Sequence, residues 1–163
     1  MSQSLRFILL GAGSIGQRHL KNIQELGHSL VSVFDPDPAR LAEVKQRAPN
    51  ALLTTSEEEA LTLPADAAFI CSPTAQHMPQ ARAAIGRGLH AFIEKPLSHT
   101  LEETEALSAQ AASQRRTVLV GCNMRFLPSL RRVWSLLRNG AIGRPLSVRV
   151  HWGYYLPHWK RHK

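Results

Sequence analysis

The sequence predicts an α/β fold, a doubly wound parallel sheet with helices on both faces. Three observations predict it. Apolar runs of strand length alternate six times with helical patterns across about 140 residues. A glycine-rich turn, Gly11-Ala12-Gly13-Ser14-Ile15-Gly16, joins the first apolar run to the first helical pattern. The 163 residues are 44% hydrophobic and 20% charged, enough apolar content to bury a core and too much for a disordered chain. Strands separated by helices must pair in parallel, and right-handed crossovers place the helices on both faces.

Leu5 to Leu10 reads as a buried strand closed by Gly11. Ser14 to Leu26 reads as a helix, with Ile15, His19, Ile23 and Leu26 at helical spacing and Gly27 suited to the left-handed position after its last turn. Leu30 to Phe34 is a second strand, ended by Asp35-Pro36-Asp37-Pro38, and Ala39 to Ala48 a second helix. Ala51 to Thr54 is a short third strand. Ser56-Glu57-Glu58-Glu59 has the form of a capping box opening a short helix. Ala67 to Cys71 is a strand and Gln76 to Arg87 a helix, with Pro79 tolerable in its first turn. His90 to Ile93 is the fifth strand. Thr100-Leu101-Glu102-Glu103 reads as a second capping box, opening a helix to about Gln114. Thr117 to Gly121 is the sixth strand, and Pro128 to Asn139 a helix stopped by Gly140. Pro145 to Tyr155 reads as one long strand, in which Val148 and Val150 alternate with Arg149 and His151. No helix follows that strand, so it stands outside the alternation and reads as the first piece of a second sheet domain.

The motifs at the strand ends carry the chemistry. Gly11-Ala12-Gly13-Ser14-Ile15-Gly16 matches G-x-G-x-x-G, and its position between a strand and a helix makes the match informative. Gly11 permits the tight turn, Gly13 leaves room for a pyrophosphate, and Gly16 lets the helix approach the strand. The free N–H groups at Ser14 and Ile15 then face the phosphates. Asp35 lies 19 residues after Gly16, at the end of the second strand. A carboxylate there accepts from adenosine ribose hydroxyls and repels a 2′-phosphate, which favours NAD over NADP. Arg40, five residues on, could attract such a phosphate and keeps NADP open. The competing reading of Asp35 is a turn-forming residue of Asp-Pro-Asp-Pro.

Further motifs follow in order. They are Ile70-Cys71-Ser72-Pro73-Thr74-Ala75-Gln76-His77, Glu94-Lys95-Pro96, Gly121-Cys122-Asn123-Met124-Arg125-Phe126-Leu127-Pro128 and Gly140-Ala141-Ile142-Gly143. With this order and spacing the chain resembles the glucose–fructose oxidoreductase / inositol dehydrogenase (Gfo/Idh/MocA) family over residues 5–156. The resemblance implies a Rossmann domain over 1–122. It implies that 123–163 is a linking helix and the first strand of a C-terminal substrate and oligomerisation domain. It implies oxidation or reduction of a sugar, inositol or related polyol with a nicotinamide cofactor. By resemblance Lys95 is the catalytic candidate, bonding the nicotinamide ribose and the reacting hydroxyl, where an ammonium stabilises developing alkoxide. The competing reading of Lys95 is a surface lysine paired with Glu94. Cys71, Ser72, Pro73, Thr74, His77, Glu94, Pro96, Asn123 and Arg125 are the further cofactor-site candidates, and the Lys95–Pro96 bond is expected to be cis. Cys71 and Cys122 read as buried strand-end residues rather than nucleophiles.

Family members run to about twice this length, and their second domain carries the Asp and His that bind substrate and move its proton. The chain is therefore expected to be a truncated product, a cloned fragment or a gene whose frame was lost. It should bind NAD yet have little activity alone, and it should self-associate through its C-terminal strand.

Other classes compete. Residues 1–110 carry 9 Lys/Arg and 12 Asp/Glu, whereas residues 111–163 carry 11 Lys/Arg and no acid. Such a basic block can mark nucleic acid or an anionic membrane. No helix-turn-helix, zinc-finger or RNA-binding signature accompanies it, and no apolar run reaches membrane-spanning length. A non-catalytic NAD-binding module, or half of a split enzyme, is the nearer rival. His151, His158 and His162 lack the spacing and carboxylate of a metal site, and no metal is expected. Trp152, Tyr154, Tyr155 and Trp159 read as core or interface side chains rather than base-stacking ones. Met1-Ser2-Gln3-Ser4 has no basic run ahead of its apolar segment, and two cysteines fit a reduced cytoplasm, so the expected location is cytoplasmic.

Overall fold

The computed structural model describes residues 4–151 and Gly153. The chain divides into two units, Met1–Cys122 and Asn123–Lys163.

The first unit is a six-stranded sheet in the order β3-β2-β1-β4-β5-β6. Its strands are β1 (Arg6–Leu10), β2 (Ser29–Phe34), β3 (Leu52–Thr54), β4 (Ala67–Ile70), β5 (His90–Ile93) and β6 (Val118–Val120). All five pairings are parallel. The helices between them are α1 (Ser14–Glu25), α2 (Pro38–Val44), α3 (Glu57–Ala60), α4 (His77–Gly86) and α5 (Thr104–Ser113). This is the doubly wound order, in which the chain reverses direction across the sheet between β1 and β4.

Period-two alternation along β1 builds a core on each face. Ile8 and Leu10 join Ile70, Met78, Ile85, Ile93 and Leu107 on one side. Phe7 and Leu9 join Leu20, Ile23, Val33, Leu41 and Val44 on the other. Gly27, at φ +78°, closes the turn after α1 as its sequence position predicts.

Local chemistry reroutes one expected helix cap and shifts another helix start. Ser56 caps α3 by accepting from the Glu59 N–H at 3.2 Å, but the return leg of the expected capping box is rerouted. The Glu59 carboxylate bonds the Thr54 hydroxyl, which itself accepts from the Ser56 N–H. The capping box expected at Thr100 does not form. The Thr100 N–H goes to Ser98 Oγ at 3.2 Å, and a local turn of that kind competes with a helix start. Helix α5 begins instead at Thr104, whose hydroxyl bonds the Leu101 carbonyl at 2.7 Å.

The second unit contains a short 3-10 turn, Asn123–Phe126, and α6 (Pro128–Arg138), with Gly140 at φ +68° after it. The Arg138 guanidinium stands 5.7 Å from the Trp134 ring. The long strand expected from Pro145 is not present among the described residues, where 145–151 and Gly153 have no strand structure. A strand needs hydrogen-bonded neighbours, and no described strand pairs with this segment. The rest of that expectation, with Trp152, Tyr154, Tyr155, His158, Trp159 and His162, lies outside the described residues. No described helix is long and apolar enough to cross a membrane.

Candidate functional site

Parallel strands deliver their carboxyl ends to one edge of the sheet, and the loops there are the site. Backbone bonds continue the ladder one residue past each strand. Gly11 N–H donates to Phe34 at 2.8 Å, Cys71 to Leu10 at 2.7 Å, Glu94 to Ile70 at 2.9 Å and Gly121 to Ile93 at 2.8 Å. Asp35, Gly11, Cys71, Glu94 and Gly121 thus stand side by side along this edge.

The glycine turn is sterically forced. Gly11 has φ +100°, and a Cβ on it would stand 2.7 Å from the Ser72 nitrogen. A Cβ on Gly16 would stand 1.9 Å from the Gly11 carbonyl oxygen. At Gly13 the nearest group would be the Arg40 Nη1, at 3.6 Å, so the space over this residue is open. Gly13 is the N-cap of α1 and supplies no side-chain acceptor. The first-turn N–H groups, those of Ser14 and Ile15 included, are therefore left for a ligand. Ser14 is exposed, while the Ile15 side chain packs against the core, so Ile15 contributes backbone only.

Asp35 is 2% exposed. Its Oδ2 accepts from the Ala12 N–H at 2.8 Å, and its Oδ1 accepts from the Asp37 N–H at 3.0 Å. The carboxylate thus holds the phosphate turn and its own loop together, and each oxygen keeps a lone pair for a further donor. Its role is more than turn formation. The half-exposed Arg40 holds Nη1 3.7 Å from the buried Asp35 Oδ2 and Nε 3.7 Å from the half-exposed Asp37 Oδ2, both long separations. The cradle fits the adenosine and pyrophosphate of a dinucleotide, with open space at Gly13, free N–H groups, and a fixed carboxylate at the end of β2.

After β4, Cys71 is buried and Ser72 partly so. Burial, and secondarily the charge of Glu94, pushes the Cys71 thiol far above its usual range, so it is not a nucleophile. Cys122, expected to be buried, is exposed, because β6 is an edge strand. The Ser72 hydroxyl donates to Gln80 Oε1 at 2.6 Å, and Gln80 Nε2 donates to Glu57 at 2.8 Å. Pro73 is exposed and Thr74 half-buried at the start of the 3-10 turn Thr74–Gln76.

His77 is 1% exposed, with Nδ1 2.8 Å from the Pro96 carbonyl and Nε2 2.9 Å from the Ser72 carbonyl. It ties the loop after β4 to the loop after β5. The Lys95–Pro96 bond is cis. Lys95 is exposed, and its ammonium makes no ion pair among the described residues. The Glu94 carboxylate is occupied elsewhere, by His19 Nε2 at 2.8 Å and by the Lys95 backbone N–H at 3.2 Å. Pairing of Lys95 with Glu94 is therefore not what the fold uses. His19 was read from the sequence only as part of a helical stripe; its pairing with a residue 75 positions away has no local signature.

Asn123 and Arg125 belong to the second unit, both exposed on its 3-10 turn. No cluster of metal-ligating side chains occurs among the described residues.

Comparison with known proteins agrees with this geometry. Residues 5–122 match the family described as "Oxidoreductase family, NAD-binding Rossmann fold", GFO_IDH_MocA. An inositol 2-dehydrogenase of Acidothermus cellulolyticus is 34% identical over 152 residues, 91% of this chain and 45% of that protein. The structure of myo-inositol 2-dehydrogenase from Lactobacillus plantarum superposes with a TM-score of 0.80 at 27% identity, covering 87% of this chain and 43% of that one. A WlbA (WbpB) dehydrogenase from Thermus thermophilus, solved with NAD and UDP-GlcNAcA, gives 0.76 at 34% identity, covering 83% of this chain and 47% of that one. The chain spans less than half the length of these relatives. A phosphate turn, a pinned Asp35 and a free Lys95 on one sheet edge, together with the match over 5–122, show that the chain belongs to the Gfo/Idh/MocA oxidoreductase family through an NAD-binding Rossmann domain.

Proposed function

We propose that this chain is the cofactor-binding part of a nicotinamide-dependent oxidoreductase acting on a CH–OH group of a sugar, inositol or related polyol. The observation that carries the reading is the shared edge. The open N-terminus of α1 and the Asp35 carboxylate stand on the same row of strand ends as Lys95, whose ammonium has no ion-pair partner among the described residues.

A bound nicotinamide supplies hydride transfer. The chain's own groups do the rest. The first-turn N–H groups of α1 hold the pyrophosphate. Asp35 accepts from the adenosine ribose and disfavours a 2′-phosphate, which makes NAD the preferred cofactor. Lys95 donates to the reacting oxygen and stabilises negative charge on it. Ser72, Pro73, Thr74, His77 and Pro96 shape the nicotinamide side, and the family resemblance makes Asn123 and Arg125 further cofactor-site candidates. Residues 123–163 are proposed to begin the substrate domain. By family resemblance, that domain is proposed to carry the proton-transferring residues. A positioned proton-transferring side chain is worth about 10²–10⁴-fold, so turnover is expected to depend on those residues.

The exposed Leu146, Val148 and Val150 support self-association through that segment, which light scattering across concentrations would detect. The free cysteines fit a reducing compartment, and a cytoplasmic location is proposed on that ground.

Titration calorimetry with NAD, NADH and NADPH tests the cofactor reading. Saturable heat with NADH and weaker heat with NADPH is expected. No heat with any of them at millimolar ligand would overturn it.

A further inference from the structure

The loop carrying Lys95 is gripped on both sides by histidines from different helices. Behind it, His77 of α4 reaches the Pro96 carbonyl at 2.8 Å. Ahead of it, His19 of α1 reaches Glu94 Oε1 at 2.8 Å, and the other Glu94 oxygen accepts the Lys95 backbone N–H at 3.2 Å. The His19 and Glu94 side chains are 15% and 13% exposed, so solvent competes little for the pair. The imidazole is fixed by aromatic neighbours, with ring centroids 5.4 Å from Phe69 of β4 and 5.0 Å from Phe92 of β5. Phe69 and Phe92 stack on each other at 4.7 Å. Gly121 leaves room for the carboxylate, since a Cβ there would stand 3.1 Å from Glu94 Oε1.

We propose that His19 is a positioning residue for Lys95. It belongs to the helix whose N-terminus faces the phosphate site, and it anchors the Glu94 carboxylate, which in turn anchors the Lys95 backbone. The phosphate end and the hydride end of the cofactor site are thereby held as one body. The inference rests on the cofactor reading above and deepens it.

Two variants separate packing from hydrogen bonding. His19→Phe keeps an aromatic ring against Phe69 and Phe92 and removes the donor, whereas His19→Gln keeps a donor. Amide hydrogen exchange, followed by NMR on the full chain without ligand, reads the anchor directly. In His19→Phe the Lys95 amide should exchange about tenfold faster while the amides of Leu9 and Val33 hold steady, and His19→Gln should return it to within about twofold. Glu94→Gln should also speed Lys95 exchange, which keeps the test open if His19→Phe folds poorly. Unchanged Lys95 exchange in the variants, or an equal rise at Leu9 and Val33, overturns the proposal.

On the same samples, His19→Phe should weaken NADH about tenfold and leave ADP, which lacks the nicotinamide riboside half, within about twofold. Equal losses for both ligands also overturn it. A wild-type chain that binds neither ligand overturns the cofactor reading instead, while the exchange rates still decide whether His19 anchors the loop.

Discussion

Two segments of this chain carry strand-like patterns and come to different ends. In β1, Phe7 to Leu10 are all buried, because β2 and β4 flank the strand and helices cover both faces. From Leu146 to Val150 apolar residues alternate with Ser147 and Arg149, yet Leu146 is 84% exposed and Val150 78%. The helices repeat the contrast. Helix α1 buries Gly16, Leu20 and Ile23, whereas Leu130, Val133 and Trp134 of α6 are exposed. Alternation states what a segment can bury, and only a neighbour turns that into a strand or a packed face. The phosphate turn, Asp35 and Lys95 all lie in the first unit, so their geometry is set by its core.

Substitutions should therefore be felt sharply in the first unit and faintly in the second. The largest effect is expected for Gly16→Ala, whose Cβ meets the Gly11 carbonyl at 1.9 Å. Overpacking against backbone should cost about 3 kcal/mol or more and abolish NADH binding, as urea melts and calorimetry would show. Asp35→Ala comes next. It strands the Ala12 N–H, which should cost about 1–3 kcal/mol, and it should weaken NADH far more than NADPH. Lys95→Met sharpens the contrast within the site. The side chain is exposed and unpaired, so the melt should move by no more than about 0.5 kcal/mol while NADH affinity falls.

Thiol chemistry reads the same contrast without mutation. A thiol reagent should label Cys122 rapidly in the native chain and Cys71 only on unfolding, because burial holds the Cys71 thiol protonated. The smallest effect is expected for Trp134→Ser on α6, within about 0.5 kcal/mol in the melt of the first unit. A large loss there would show that the first unit depends on α6.

Much of this edge was legible in the sequence because it is built from short-range pieces. The G-x-G-x-x-G turn needs only a strand before it and a helix after it. Asp35 is found by counting from Gly16 to the end of the next strand. The loop after β5 was marked by Lys95-Pro96 in its strand-end context. What the sequence did not disclose depends on distant partners or on competing local bonds. His19 looks like any helical residue until β4 and β5 bring Phe69, Phe92 and Glu94 beside it. The Thr100 start failed because Ser98 offered the Thr100 N–H a nearer acceptor. The long strand from Pro145 had a sound pattern and no described strand beside it.

The central claim is that this chain binds NAD along one sheet edge through the phosphate turn, Asp35 and Lys95. An NADH titration of the nitrogen-labelled chain, followed by amide shifts, tests it most directly. Saturable shifts should concentrate at Ala12 to Gly16, Asp35, Ser72 to Thr74 and Lys95. Shifts that never saturate, or that fall on α6 and leave the phosphate turn unmoved, would contradict it.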